Sequence, residues 1–155
     1  MKIQRYTQDR AVEITNLFYQ SVHSIDASFY TPEQKEAWAP TPPDYTSWEQ
    51  RLSEKKPFWA LINNQVAGFI ELDVDGHIDC TYTHPKYQGQ GVASALYLYV
   101  LKIARTRGLS RLYVEASLIA VPFFKKRGFV VTKRNEIHRK GQTLINFDME
   151  ILLDN

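Results

Sequence analysis

Residues Gln88-Gly89-Gln90-Gly91-Val92-Ala93 constrain this chain more than any other stretch. A strand-like run at 78–83 precedes them, and an amphipathic helix pattern at 94–107 follows. Two glycines at a strand-to-helix turn let the backbone approach a ligand closely. The free N–H groups of the first helical turn then point outward, and the helix dipole favours negative charge there. The turn reads as a seat for a phosphate or pyrophosphate.

The flanking pattern sets the fold. Residues 2–6 read as a strand. Asp9 opens a helix whose apolar face is Ala11, Ile14, Leu17, Phe18, Val22 and Ile25. Thr31, Pro32 and Gln34 form a capping-box helix start that ends by Pro40. Asp44 caps another short helix through Trp48 and Leu52. Strands follow at 58–62, 65–73 and 77–83, joined through Asn63-Asn64 and Asp75-Gly76, pairs that tolerate positive φ. After the glycine turn, Val92, Leu96, Val100 and Ala104 mark the buried face of the long helix, with Gly108 as its C-terminal cap. A strand at 111–115, a helix at 120–127 and strands at 129–132 and 143–151 complete the chain. In the last strand Thr143, Ile145, Phe147, Met149 and Ile151 alternate with a mostly polar set. The strand–helix–strand unit from Ile78 to Glu115 requires parallel pairing. The predicted class is α+β in one domain over 1–155: a mixed, mostly antiparallel sheet flanked by helices, with a parallel strand–helix–strand core.

Composition narrows the function. The chain has 155 residues, and its 19 Lys and Arg against 17 Asp and Glu give a net charge of only +2. That argues against a dedicated nucleic-acid binder. One cysteine, Cys80, excludes an internal disulfide and a cysteine-rich metal site. No apolar run is long enough to span a membrane, and Met1 to Arg5 lack a signal peptide's apolar stretch, so a cytoplasmic protein is expected. A monomer and a homodimer both remain open.

Two phosphate-binding motifs fail here. No Gly-Lys-Ser/Thr follows the glycines, which excludes a P-loop. The dinucleotide fingerprint G-x-G-x-x-G/A misses by one position at Ser94, and antiparallel strands precede it. Gln88-x-x-Gly91-x-Ala93 instead resembles the R/Q-x-x-G-x-G/A signature of the Gcn5-related N-acetyltransferase family. His84 to Gly91 is similar to that family's run from its fourth strand into the loop. Ala120-Val121-Pro122-Phe123-Phe124-Lys125-Lys126-Arg127-Gly128-Phe129 resembles its A-x-x-F-Y-x-x-x-G-F segment. The likeness covers nearly the whole chain and is strongest over 58–131.

The resemblance implies an acetyl-CoA-dependent N-acetyltransferase, without a metal, that transfers acetyl directly to a primary amine of a small molecule or peptide. It implies that Thr81, Tyr82 and Thr83 bind the pantetheine arm through the backbone. Gln88, Gly89, Gln90, Gly91, Val92, Ala93 and Ser94 would hold the pyrophosphate. Ser117 stands where the family often has a cofactor-contacting Asn, and equally reads as a helix cap. Phe124 stands where many members have a Tyr that acts as general acid, and phenylalanine has no proton to give. For the general base, His77 and Asp79 share a strand face at the family's positions. An imidazole titrates near neutrality, whereas an aspartate would need a raised pKa. Structural readings stand beside these: a turn-flanking His77, a hydrogen-bonded Asp79. Glu115 is a third candidate. Tyr30, Trp38 and Trp48 line an acceptor pocket or belong to the core. The acidic run from Glu71 to Asp79 favours a cationic amine. The missing phenol keeps a non-catalytic acyl-CoA-binding or sensing module open. The late basic cluster keeps open an acetyltransferase acting on a protein or a tRNA.

Overall fold

Local signals set most element boundaries. In the computed structural model, which describes residues 1–154, Gln34 N–H donates to Thr31 Oγ1 at 3.1 Å and Thr31 N–H donates to Gln34 Oε1 at 2.8 Å. That reciprocal pair starts α2 (Pro32–Trp38). Asp44 Oδ1 accepts from Ser47 N–H at 3.0 Å and starts α3 (Tyr45–Lys55). Ahead of them lie β1 (Lys2–Arg5), a 3₁₀ turn (Gln8–Arg10) and α1 (Ala11–His23). Then come β2 (Phe58–Ile62), β3 (Gln65–Leu72), β4 (His77–Thr83), α4 (Val92–Thr106) and β5 (Arg111–Ser117). The chain finishes with α5 (Val121–Lys126), β6 (Val130–Arg139) and β7 (Gln142–Leu152). Asn63 and Asn64 both adopt positive φ, 51° and 62°, in the β2–β3 hairpin.

The seven strands run in the order β1-β2-β3-β4-β5-β7-β6. Every neighbouring pair is antiparallel except β4 and β5, which α4 connects. The fold is therefore the mixed, mostly antiparallel α+β sheet expected, with its parallel crossover. One face is covered by α4 and α5: Val92, Leu96, Val100 and Ala104 pack into the cluster of Ala60, Ala67, Ile70, Ile78 and Leu112. The other is covered by α1 and α3, through Ile14, Leu17 and Leu52 against Trp59, Val66 and Phe69. A Cβ on Gly68 would stand 2.7 Å from Val92 Cγ1, so the lack of a side chain there lets α4 lie close on β3.

Two irregularities shape the centre of the sheet. The parallel pairing of β4 with β5 spans only His77↔Tyr113 and Ile78↔Val114. Beyond it the strands diverge, although β4 still pairs with β3 as far as Thr83 and β5 with β7 as far as Ser117. The result is a fork. In addition, Ile70 faces Thr81 while Leu72 faces Ile78, so Asp79 and Cys80 together oppose Glu71. That is a bulge in β4, which disrupts the ladder and re-aims the strand.

Some boundaries differ from the sequence pattern. Ile25 lies beyond the end of α1 but is still buried, against Tyr30 and Leu144. The β6 strand extends to Arg139, well past 132. As an edge strand it is exposed along most of its length, and its run of charged residues shows no alternation to read. Leu144 falls in the mostly polar set of β7, yet it is buried in the cluster with Ile25 and Tyr30.

Candidate active site

The glycine turn carries the first part of the site. Gly89 and Gly91 adopt φ of 76° and 81°, and a Cβ at either would meet no atom within 4 Å. Conformation rather than crowding therefore calls for glycine. Gly91 is the N-cap of α4 and supplies no side-chain cap. Among the described residues, the N–H groups of Val92, Ala93 and Ser94 have no acceptor, as an anion seat requires. Gln90 turns away from this seat, with its amide donating to Lys86 O at 3.2 Å.

Arg127 stands beside this turn. Its Nη2 donates to Ser94 Oγ and its Nη1 to Phe123 O, and the guanidinium lies 3.5 Å from the centroid of the Phe123 ring. A fixed positive charge thus stands beside the open helix terminus. In the sequence Arg127 is one of a run of basic residues; only its place at the end of α5, just before Gly128 (φ 96°), sets it apart.

A cavity of about 530 Å³ runs from this cradle into the fork. Thr81, Tyr82, Thr83, Gln88, Gly89, Gly91, Val92, Ala93, Ser94, Ser117 and Phe124 all line it. His84 N–H donates to Ala67 O on β3 at 2.8 Å, so by strand alternation the main-chain groups of Thr83 face the fork. Ser117 Oγ accepts from Ala120 N–H at 3.3 Å, so it supports the turn into α5 while lining the cavity. Phe124 is 1% exposed and packs edge-on to Phe123 and Phe129.

A second cavity of about 530 Å³ opens on the α1–α3 side. Trp38, Asp79, Cys80, Tyr82, Glu115 and Ser117 line both, so the two spaces meet across the fork. Tyr30 and Trp48 line the second.

The acidic run is not a free anionic surface. Arg51 and Lys55 reach into it from α3. Arg51 donates to Glu71 at 2.6 and 3.1 Å, to Asp79 at 3.0 Å and to the Cys80 sulfur at 3.2 Å. Lys55 Nζ lies 2.9 Å from Asp73 and 2.8 Å from Asp79. Burial pushes the Asp79 carboxyl up, but the Lys55 hydrogen bond and the charges of Arg51 and Lys55 outweigh it and hold the pKa below the usual carboxylate range. Burial pushes Glu71 up, against the pull of Arg51. Burial, with the Glu71 charge, pushes the Cys80 thiol well up.

His77 and Asp79 point to the same side of β4, but their settings differ. The His77 ring lies 3.2 Å from Asp73 through Nδ1 and 2.9 Å from Glu115 through Nε2, stacked on Tyr113. It lines neither cavity, whereas Asp79 and Glu115 line both. Asp73, His77 and Asp79 present ligand-type atoms within 4.8 Å of one another. Lys55 bridges the two carboxylates there as an internal cation.

This geometry, a phosphate-type cradle leading into a split between parallel strands, defines an acyl-CoA-type transferase fold. The family model for the acetyltransferase (GNAT) domain matches residues 26–151, and the chain belongs to that family. It is 32% identical over 149 residues to an uncharacterized N-acetyltransferase, YafP, of Escherichia coli, covering 96% of this chain and 94% of that protein. The crystal structure of a GCN5-related N-acetyltransferase from Rhodopseudomonas palustris superposes with a TM-score of 0.92 at 34% identity, over 98% of this chain and 95% of that one. PaiA N-acetyltransferase from Thermoplasma acidophilum, solved with coenzyme A, shares the fold at a TM-score of 0.76 and 18% identity, over 98% of each chain. The chain is an N-acetyltransferase. Among the described residues no helix is long and apolar enough to cross a membrane.

Proposed function

We propose that this enzyme transfers acetyl from acetyl-CoA directly to a primary amine, with no acyl-enzyme intermediate and no metal. The observation that carries the reading is the meeting of the two cavities across the fork, where six residues line both. A donor seated on the glycine turn and an acceptor entering from the α1–α3 side then share a wall, which converts a bimolecular encounter into a positioned one.

The main chain of 89–94 and Arg127 hold the pyrophosphate, and Thr81 to Thr83 hold the pantetheine arm. The amine nitrogen bonds to the thioester carbonyl carbon and the carbon–sulfur bond breaks. An ammonium acceptor and acetyl-CoA give the amide, the free thiol and one proton. Asp79, whose charge Arg51 and Lys55 balance, lines the site as a hydrogen-bond acceptor, and Glu115 supplies the carboxylate that attracts the ammonium. Glu115 faces both cavities and takes the proton, directly or through water, and passes it to His77 and Asp73 behind it. Cys80 is not the nucleophile: its thiol is held protonated by burial beside Glu71.

The test is a thiol-release assay over a panel of amines, with acetyl-CoA binding followed by calorimetry. Binding at micromolar levels and turnover of at least one amine are expected. Glu115→Gln and His77→Ala are expected to lower kcat by about 10²-fold and flatten its pH profile, leaving acetyl-CoA affinity unchanged. Failure of acetyl-CoA to bind at micromolar levels overturns the proposal. Binding without turnover of any amine establishes the sensing-module reading that Phe124 favours.

A further inference from the structure

The acceptor cavity has a wall of aromatic rings and a floor of carboxylates. Phe18 lies 4.5 Å from Trp48 and 5.0 Å from Tyr82, centroid to centroid. The Trp38 indole N–H donates to Tyr82 Oη at 3.2 Å, which locks those two rings together. All four residues line the cavity, and Asp79 and Glu115 close its inner end beside the fork. Two arginines also line the cavity, Arg51 and Arg139, and the charge of Arg51 is engaged by Glu71 and Asp79.

One route for an extended peptide, addition as a strand to the edge of β7, is closed. The β7 strand runs past the end of β5, because Ser117 is paired with Asn146 while Gln142 to Ile145 pair only with β6. That free edge would accept a peptide as an added strand. Its carbonyls are occupied: Tyr30 Oη donates to Ile145 O at 2.8 Å, and Gln34 Nε2 donates to Thr143 O at 2.9 Å. Tyr30 Oη also accepts from Leu118 N–H at 2.9 Å, so one side chain ties the α1–α2 connection to both strands. Leu144 is buried in the same cluster as Tyr30 and Ile25.

We infer that the acceptor is a small primary amine carrying an aromatic ring, rather than an extended peptide. This rests on the acetyl-transfer reading above. The ring packs on Phe18, Trp38, Trp48 and Tyr82, while the ammonium end meets Asp79 and Glu115. Ring stacking favours such a molecule over an alkyl amine of equal length.

The test compares phenethylamine, tryptamine, butylamine, a lysine-containing peptide and glucosamine 6-phosphate as acceptors for the full-length enzyme. The arylalkyl amines are expected to exceed butylamine in kcat/KM by about tenfold, and the peptide by more. Trp48→Ala is expected to raise KM for phenethylamine about tenfold without changing KM for acetyl-CoA. Trp48→Phe, which keeps the packing, is expected to recover most of that loss. Equal or better turnover of the peptide or the sugar phosphate overturns the inference while leaving acetyl transfer intact. No turnover of any amine, with acetyl-CoA still bound, overturns both.

Discussion

Arg51 grips Glu71 at two points, Nη2 to Oε1 at 2.6 Å and Nε to Oε2 at 3.1 Å, although the Glu71 side chain has no exposed surface. A buried carboxylate without a partner is costly, so the pair holds α3 against β3 and β4 rather than serving the chemistry directly. Removing one partner strands the other. Arg51→Met is expected to cost about 3–5 kcal/mol in urea unfolding. Glu71→Leu added to it should restore much of the loss, because the stranded charge disappears. Losses that simply add would show that the pair is not the source.

The same α3 cations set an acid limit on stability. The Asp79 pKa is lowered in the folded state because the Lys55 bond and the Arg51 and Lys55 charges outweigh burial. The unfolded chain therefore binds more protons at this group, and stability rises with pH across its titration. The contribution is fully present above the ordinary aspartate value, about pH 4, and is lost as pH falls through the lower folded value. Urea melts from pH 6 down to pH 2 should show the wild type losing stability below about pH 4 more steeply than Asp79→Asn. Equal slopes would remove Asp79 from the account.

What the sequence disclosed was what neighbours along the chain determine. The capping box at Thr31 and Gln34, the positive φ of Asn63 and Asn64, and the open helix terminus after Gly91 are all local. So the fold, and the open turn at the start of α4, were legible in the sequence. The charged site was not. Glu71, Asp73 and Asp79 read as an anionic patch because Arg51 and Lys55 lie some 20 residues earlier, on an element whose approach depends on tertiary packing. The bulge at Asp79 and Cys80 carries no glycine or proline to announce it. Leu144 belongs to a polar alternation and is buried only because the α1–α2 connection crosses that end of β7.

Arg127 should matter for the donor rather than for the acceptor. Its two hydrogen bonds and its place over the Phe123 ring hold the guanidinium beside Ser94 and the first turn of α4. Arg127→Ala is expected to weaken acetyl-CoA binding about tenfold, the loss of one charge-assisted contact. Binding by the wild type should weaken as salt rises, and the variant should respond less. Arg127→Lys should recover only part of the affinity, because an ammonium cannot make the same planar contacts. Calorimetry at two salt concentrations checks all three, and an unchanged affinity in Arg127→Ala would remove the residue from the cradle.

Phe124 offers the sharpest test of the proton chemistry. It lines the donor cavity and is wedged between Phe123 and Phe129, with centroids 5.1 and 4.9 Å away. A phenol there would supply the acid that phenylalanine lacks. Without it, the departing thiolate must take its proton from water, a handicap that shrinks as pH rises toward the thiol's own pKa. Phe124→Tyr is therefore expected to raise kcat about three- to tenfold near pH 6.5 and to change it little above pH 9. The melting temperature should stay within a few degrees, about the effect of one added oxygen on a cavity-lining ring. A rate gain equal at all pH values would mean that the hydroxyl acts on binding rather than on proton delivery. No gain at any pH, in a variant that still binds acetyl-CoA normally, would mean that thiolate departure does not limit this enzyme.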